Sequence, residues 1–170
     1  MRTFILFFVF AIFFSFSNSF AEQSQYVDEQ GWNTVSSAGF VFKWKINKDE
    51  IDCRVEAATK GWIAVGFNNV NRMNNANIII GCVDKKGVKV EDHFGKGHGH
   101  HKDKIQNVKN IFGKESIGKT EIYFTIPLDS KDPEDFVLEE KRPVFVIMAV
   151  GSKDSFSTIH SKKTSVKIIL

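Results

Sequence analysis

Proline is scarce in this chain, 3 in 170 residues, and glycine amounts to 12, which excludes a collagen-like or proline-rich extended chain. Charge of neither sign dominates. The 23 Lys and Arg stand against 20 Asp and Glu, and a net charge of +3 is too little for the dense basic face that nucleic acid needs. There is no phosphate loop, no G-x-S-x-G elbow and no H-E-x-x-H. Neither cysteine has a histidine close in sequence, which argues against a thiol enzyme. No catalytic residue is therefore assigned, and a redox carrier or binding module is expected before a catalyst.

One long apolar run is present, and it is at the start. Arg2 leads into Phe4 to Phe14, followed by the polar stretch Ser15 to Ser19 and the small-x-small sequence Ser19-Phe20-Ala21. This is the pattern of a secretory signal peptide, and 11 apolar residues fall short of the roughly 20 that span a bilayer. Residues 1–21 are expected to be removed, taking eight of the 17 phenylalanines with them. No later apolar stretch reaches membrane-span length. The mature chain is expected to be secreted and extracellular, or periplasmic in a bacterium, with no membrane span.

Cys53 and Cys82 enclose a loop of about 28 residues, for which chain entropy gives roughly 3–4 kcal/mol if they pair. Export favours the disulfide. The alternative is two buried thiols on neighbouring strands.

The remainder reads as strands. Phe40, Phe42, Trp44 and Ile46 alternate with polar or smaller residues, as do Ile51, Cys53, Val55 and Ala57, and later Ile122, Phe124 and Ile126. Trp62 to Phe67 is apolar on both faces, the signature of a strand covered on both sides. Ile78 to Ile80, Val88 to Phe94, Val144 to Val150 and Ser165 to Leu170 complete about nine or more short strands. No window carries a helical period. The fold class is all-β, an antiparallel immunoglobulin-like β-sandwich, with a closed barrel as the alternative. Residues 22–30 are expected to be a loose segment and 31–170 one domain. The acidic pairs Asp132/Asp135 and Glu139/Glu140 fall in a turn region and read as solvated.

Three loops hold the candidate chemistry. Residues 68–77 contain six asparagines around Arg72 and Met73. Met73 there is either a lid folded back on the sandwich end or a soft ligand for haem iron or copper(I). Residues 95–104 carry His98, His100 and His101 between glycines, with His93, Asp92 and Asp103 nearby. Imidazoles and carboxylates suit zinc or copper(II), although a flexible solvated loop reads equally from the glycines. Residues 151–163 are polar and include His160.

Gly61-Trp62-Ile63-Ala64-Val65-Gly66-Phe67, then Met73, then Ala76-Asn77-Ile78-Ile79-Ile80-Gly81 resembles the opening signature of a DOMON domain. Gly87 to Phe94, Phe124-Thr125-Ile126-Pro127-Leu128 with Asp132 and Asp135, and Val144 to Val150 followed by His160 resemble its later blocks, so the likeness runs from about residue 32 to 170. The resemblance implies a β-sandwich. Some members of that family hold a b-type haem between a loop methionine and a late histidine, at positions that match Met73 and His160. Others bind sugars or other small ligands, or accompany copper monooxygenase or cytochrome b561 modules. Two departures stand out. Ile147-Met148 replaces a tryptophan often found there, and Asn77 replaces an acidic residue. The resemblance implies haem b as cofactor, with a haem-free ligand-binding module of the same fold as the alternative; electrons would then pass to a separate redox partner protein. The residues of the histidine loop give the second alternative, a metal-binding module.

Overall fold

The computed structural model describes residues 25–170. The expected signal peptide, residues 1–21, and residues 22–24 lie outside the described residues. The rest forms twelve strands and no helix among the described residues: β1 (Tyr26–Val27), β2 (Asn33–Ser37), β3 (Phe40–Asn47), β4 (Glu50–Ala57), β5 (Ile63–Asn68), β6 (Asn77–Asp84), β7 (Gly87–Lys96), β8 (Gly99–Lys102), β9 (Lys109–Ser116), β10 (Lys119–Pro127), β11 (Pro143–Val150) and β12 (Lys162–Ile169). They pair as two six-stranded sheets, β1-β2-β3-β4-β10-β9 and β12-β11-β5-β6-β7-β8. Every pairing is antiparallel. The sandwich expected from the alternation is thus present, and the sheets do not join into a barrel. Residues 26–27 of the expected loose segment pair with β2.

Of the strands that alternation missed, β1, β8 and β9 are edge strands, and β2 lies between β1 and β3. In β9, Lys-Asn-Ile-Phe-Gly-Lys-Glu-Ser exposes most positions and buries none fully, so no apolar period marks it. β8 is four residues of glycine, histidine and lysine.

Between the sheets lies a core of aromatic and branched side chains. Phe42 stacks on Trp44 at 5.4 Å within the first sheet. Phe42 also meets Phe67 of the second sheet edge-on at 5.9 Å, which ties the two sheets together. Complete burial of such side chains contributes about 1.5–3 kcal/mol each. Ile63, Val65 and Phe67 of β5, Ile79 of β6, and Val144, Val146, Met148 and Val150 of β11 all face this core. The intervening residues of β5, β6 and β11 must then face outward, and a second cluster of Trp62, Ala64, Ala76, Ile78, Ile80 and Cys82 is buried there. The second sheet is apolar on both faces.

This arrangement corrects the expected disulfide. Cys53 and Cys82 are both free and buried. Cys53 points into the inter-sheet core from β4, whereas Cys82 belongs to the outward-facing cluster on β6. A sheet separates them, because residue 82 shares the face of residues 78 and 80. Burial pushes the Cys53 thiol well above its ordinary value and the Cys82 thiol up to about 11, which makes both poor nucleophiles. In denaturant without reductant, an alkylating reagent should add twice to each chain by mass, with Cys53 blocked in the native protein. No addition before reduction would restore the disulfide.

Candidate functional site

The outward face of the second sheet is built from small and branched residues. Across neighbouring strands, Ile147 pairs with Gly66, Gly66 with Ile78, Ile78 with His93, and His93 with Lys102. One row down, Ala149 pairs with Ala64 and Ala64 with Ile80. Glycine and alanine keep the floor low beside taller isoleucines. The result is a cavity of about 560 Å³, within the range of small-molecule and cofactor sites. It lies over the face of the sheet and not at an end of the sandwich, where the sequence reading placed it. Of the family's Ile147-Met148 departure, only Ile147 lines the cavity, while Met148 is buried between the sheets.

Three segments wall the cavity, and each is fastened by the backbone. In the asparagine-rich loop, the Asn68 side-chain amide donates to the carbonyls of Arg72 (2.7 Å) and Asn74 (2.9 Å). The Ala76 N–H donates to the Met73 carbonyl at 2.9 Å, and the Asn75 N–H reaches the Gly95 carbonyl at 2.8 Å. The asparagines therefore work as turn-formers that present Met73. Gly95 is required at this crossing, since a Cβ on it would collide with the Met73 carbonyl. On the other side, Trp62 anchors the segment leading to His160. Its indole N–H donates to Thr158 Oγ1 at 3.0 Å, and its backbone exchanges hydrogen bonds with Lys153 (3.0 Å) and Gly151 (2.8 Å). A Cβ on Gly151 would strike the indole ring. The Gly-Trp motif is thus the clamp of the His160 segment.

All five histidines of the chain line this one cavity: His93, His98, His100, His101 and His160. Met73 lines it too. The structure so brings Met73 and His160, 87 residues apart in sequence, to a common chamber. Sequence reading named His93 only as a neighbour of the histidine loop. It is 6% exposed, with its Nδ1 2.9 Å from Nδ1 of His100 and its Nε2 3.1 Å from Glu91 Oε2. Its signal was the alternation of β7, which puts Lys89, Glu91 and His93 on the cavity side and Val88, Val90 and Asp92 on the other.

Burial pushes both His93 and His100 down, the Glu91 carboxylate offsetting this in part for His93. A short Nδ1 to Nδ1 contact needs one ring to donate and the other to accept, so the pair does not carry two Nδ1 protons. Burial raises Glu91 as well, but hydrogen bonds from Lys102, Lys89 and His93 outweigh it and hold the carboxyl at about 2. The expected zinc or copper centre at His98, His100 and His101 finds no support. Neighbouring strand residues point apart, His101 turns to Glu134 at 3.3 Å and His100 to His93. Among the described residues, no three His, Cys, Asp or Glu side chains stand ready to hold a metal.

A two-sheet antiparallel sandwich with a lidded apolar chamber on one sheet face, walled by a methionine loop and a histidine loop, defines the class. The DOMON domain family model matches residues 36–151, and the chain belongs to that family. Two solved structures share the fold. The cytochrome b domain of pyranose dehydrogenase from Coprinopsis cinerea superposes with a TM-score of 0.68 at 13% identity, over 86% of this chain and 87% of that one. The cytochrome domain of Myriococcum thermophilum cellobiose dehydrogenase gives 0.58 at 10% identity, over 87% and 88%.

Two outcomes follow from these contacts. Gly95→Ala should destabilise the fold by about 1–3 kcal/mol in a denaturant titration, because the Met73 backbone must move aside. No loss would show that the crossing is loose. Second, the unfolded chain takes up protons at the ordinary histidine value of 6.5, while buried His93 and His100 take them up only at lower pH. Their contribution is complete above that value and is lost as pH falls below it. The groups around the pair, Glu91, Lys102 and His101, remain in a His93→Gln/His100→Gln double variant. Wild-type stability should fall relative to that variant between about pH 7.5 and about pH 5. Parallel pH profiles would rule out the buried neutral pair.

Proposed function

We propose that this protein is a haem b-binding electron-transfer module with Met73 and His160 as axial ligands. The observation that carries the reading is the placement of both residues on the wall of one apolar chamber. The donor set fits the group, since thioether sulfur and imidazole nitrogen are both ligands of haem iron. The floor fits as well, because Ala64, Gly66 and Ala149 leave a flat surface with Ile78, Ile80 and Ile147 beside it. The likeness to two cytochrome domains supports the same reading at the level of the fold.

Bound haem would supply one-electron transfer between ferric and ferrous iron. The residues of the chain do the rest. Met73 and His160 would hold the group from the protein's side, and with both ligands supplied by the chain it would carry electrons and not oxygenate. The Met73 thioether would raise the potential relative to a second histidine. The apolar floor and half-buried Phe156 would lie against the group as apolar surface. Segment 1–21 fits a secretory signal, so the protein works outside the cytoplasm, with a separate protein as its redox partner. Among the described residues, no helix is long and apolar enough to cross a membrane.

Purified with haem supplied, the protein should show a Soret band and, on dithionite reduction, sharp low-spin α and β bands. Met73→Ala should lose haem or lower the potential, and His160→Ala should lose haem. An unchanged spectrum and potential in Met73→Ala would sink the ligand assignment. A colourless protein after haem titration would turn the chamber over to the haem-free reading, a site for a sugar or other small ligand.

A further inference from the structure

The histidines on the chamber wall are not equivalent. His93 and His100 are joined to each other and to Glu91, and the chemistry of that chain fixes where each hydrogen sits. The Lys89 and Lys102 ammonium groups stand 3.0 and 2.9 Å from Glu91 Oε1, so the carboxylate is ionised and only accepts. Its Oε2 is 3.1 Å from His93 Nε2, which must then carry a hydrogen. In the neutral ring the other nitrogen, Nδ1, is an acceptor. His100 Nδ1, 2.9 Å away, must therefore be the donor, and His100 Nε2 is left as a bare lone pair.

The strand register supports this order. Glu91 and His93 are two apart on β7, His93 pairs with Lys102 of β8, and His100 lies two residues before Lys102. All four side chains thus stand on the chamber face. Phe156 of the His160 segment lies edge-on to His93 at 6.2 Å and covers the chain of contacts. His100 Nε2 ends that chain. It has no hydrogen-bond partner among the described residues, and His100 lines the chamber.

The same contacts decide where a further proton goes. One hydrogen fits between the two Nδ1 atoms, and His93 Nε2 already holds one. An added proton therefore appears at His100 Nε2, whichever ring carries the charge, and turns an acceptor into a charged donor. The surroundings suit an anion there. Facing the pair are Glu91 and Lys89 on β7, Lys102 on β8, His98, and His160 of the covering segment, while His101 is turned to Glu134 and β6 contributes the uncharged Ile78 and Ile80. Two ammonium groups against one carboxylate leave an excess of positive charge before the pair takes any proton.

We infer that Glu91, His93 and His100 form a relay that recognises a carboxylate of the chamber's occupant, His100 Nε2 taking up one proton as the carboxylate binds. No covalent bond between heavy atoms changes. The proton comes from water, and the resulting N–H donates to a carboxylate oxygen in a charge-assisted hydrogen bond. Burial holds the unoccupied pair neutral, so the proton arrives with the ligand. The relay follows from the contacts alone. Only the source of the carboxylate, the propionate side chains of haem, rests on the haem reading.

The test takes the relay, the carboxylate and haem apart. In the haem-free protein at about pH 7.5, imidazole nitrogen chemical shifts should place the hydrogens on His93 Nε2 and His100 Nδ1. A neutral His100 protonated at Nε2 would overturn the inference. Sodium benzoate, a flat carboxylate, should bind with an affinity that falls between about pH 6.5 and about pH 8, at most about tenfold per pH unit, because one proton binds with it. Benzamide should show no such slope, and His100→Gln should abolish it with an unchanged circular dichroism spectrum. The inference fails if benzoate does not bind, if its affinity has no slope, or if His100→Gln keeps the slope. Haem and its dimethyl ester then locate the source. Haem should bind more tightly than the ester and with the slope that the ester lacks. Equal binding of the two would overturn carboxylate recognition and leave the haem reading standing. Binding of benzoate without any binding of haem would overturn the haem reading and leave the carboxylate site standing.

Discussion

The structure depends on a sheet that is apolar on both faces. One face of β5, β6 and β11 closes the sandwich core, and the other face would be an open greasy surface if nothing covered it. Covering it is what the three irregular segments do. Backbone contacts fasten them at the margins of the sheet, and over the floor of glycine and alanine a half-open chamber remains between cover and sheet. The chemistry of the protein is placed by this one requirement, since the segments recruited as cover are those that carry Met73 and the histidines.

The cover is held at a few tight crossings. Gly95 admits the Met73 carbonyl and Gly151 admits the Trp62 ring, and at each the lack of a side chain is the structural feature. Trp62 does double duty: its ring belongs to the apolar outer cluster and its N–H ends on Thr158. Polar groups that such cover buries are paired, as in the Glu91 hub, where two lysines and His93 converge on one carboxylate. Asp92, on the opposite side of β7, is the contrast: it is fully buried and its carboxylate oxygens lack that pairing.

The two faces of β7 show how far alternation reaches. Period 2 was readable in Val88, Val90 and Phe94, yet the same period puts His93 on one chamber and Asp92 in another environment, and reading the strand as core hides both. Met73 and His160 were legible as candidates because a thioether in an asparagine-rich loop has no reason to face water. The cysteines were misread for the same lack of a third dimension: 28 residues and an exported chain allow a bond, but not through a β-sheet. Edge strands β8 and β9 went unseen because half-solvated strands carry no apolar period to see.

By itself the sequence determined the all-β class, the doubly buried character of Trp62 to Phe67 and the short list of candidate ligands. These follow from local rules, in which side-chain period and turn chemistry act over a few residues. The tertiary structure alone decided which face of the sheet became a chamber, that all five histidines share it with Met73, that Cys53 and Cys82 are apart, and that Asp92 is fully buried. Those are matters of long-range pairing, since antiparallel register across twelve strands brings together residues whose sequence separation carries no information about distance.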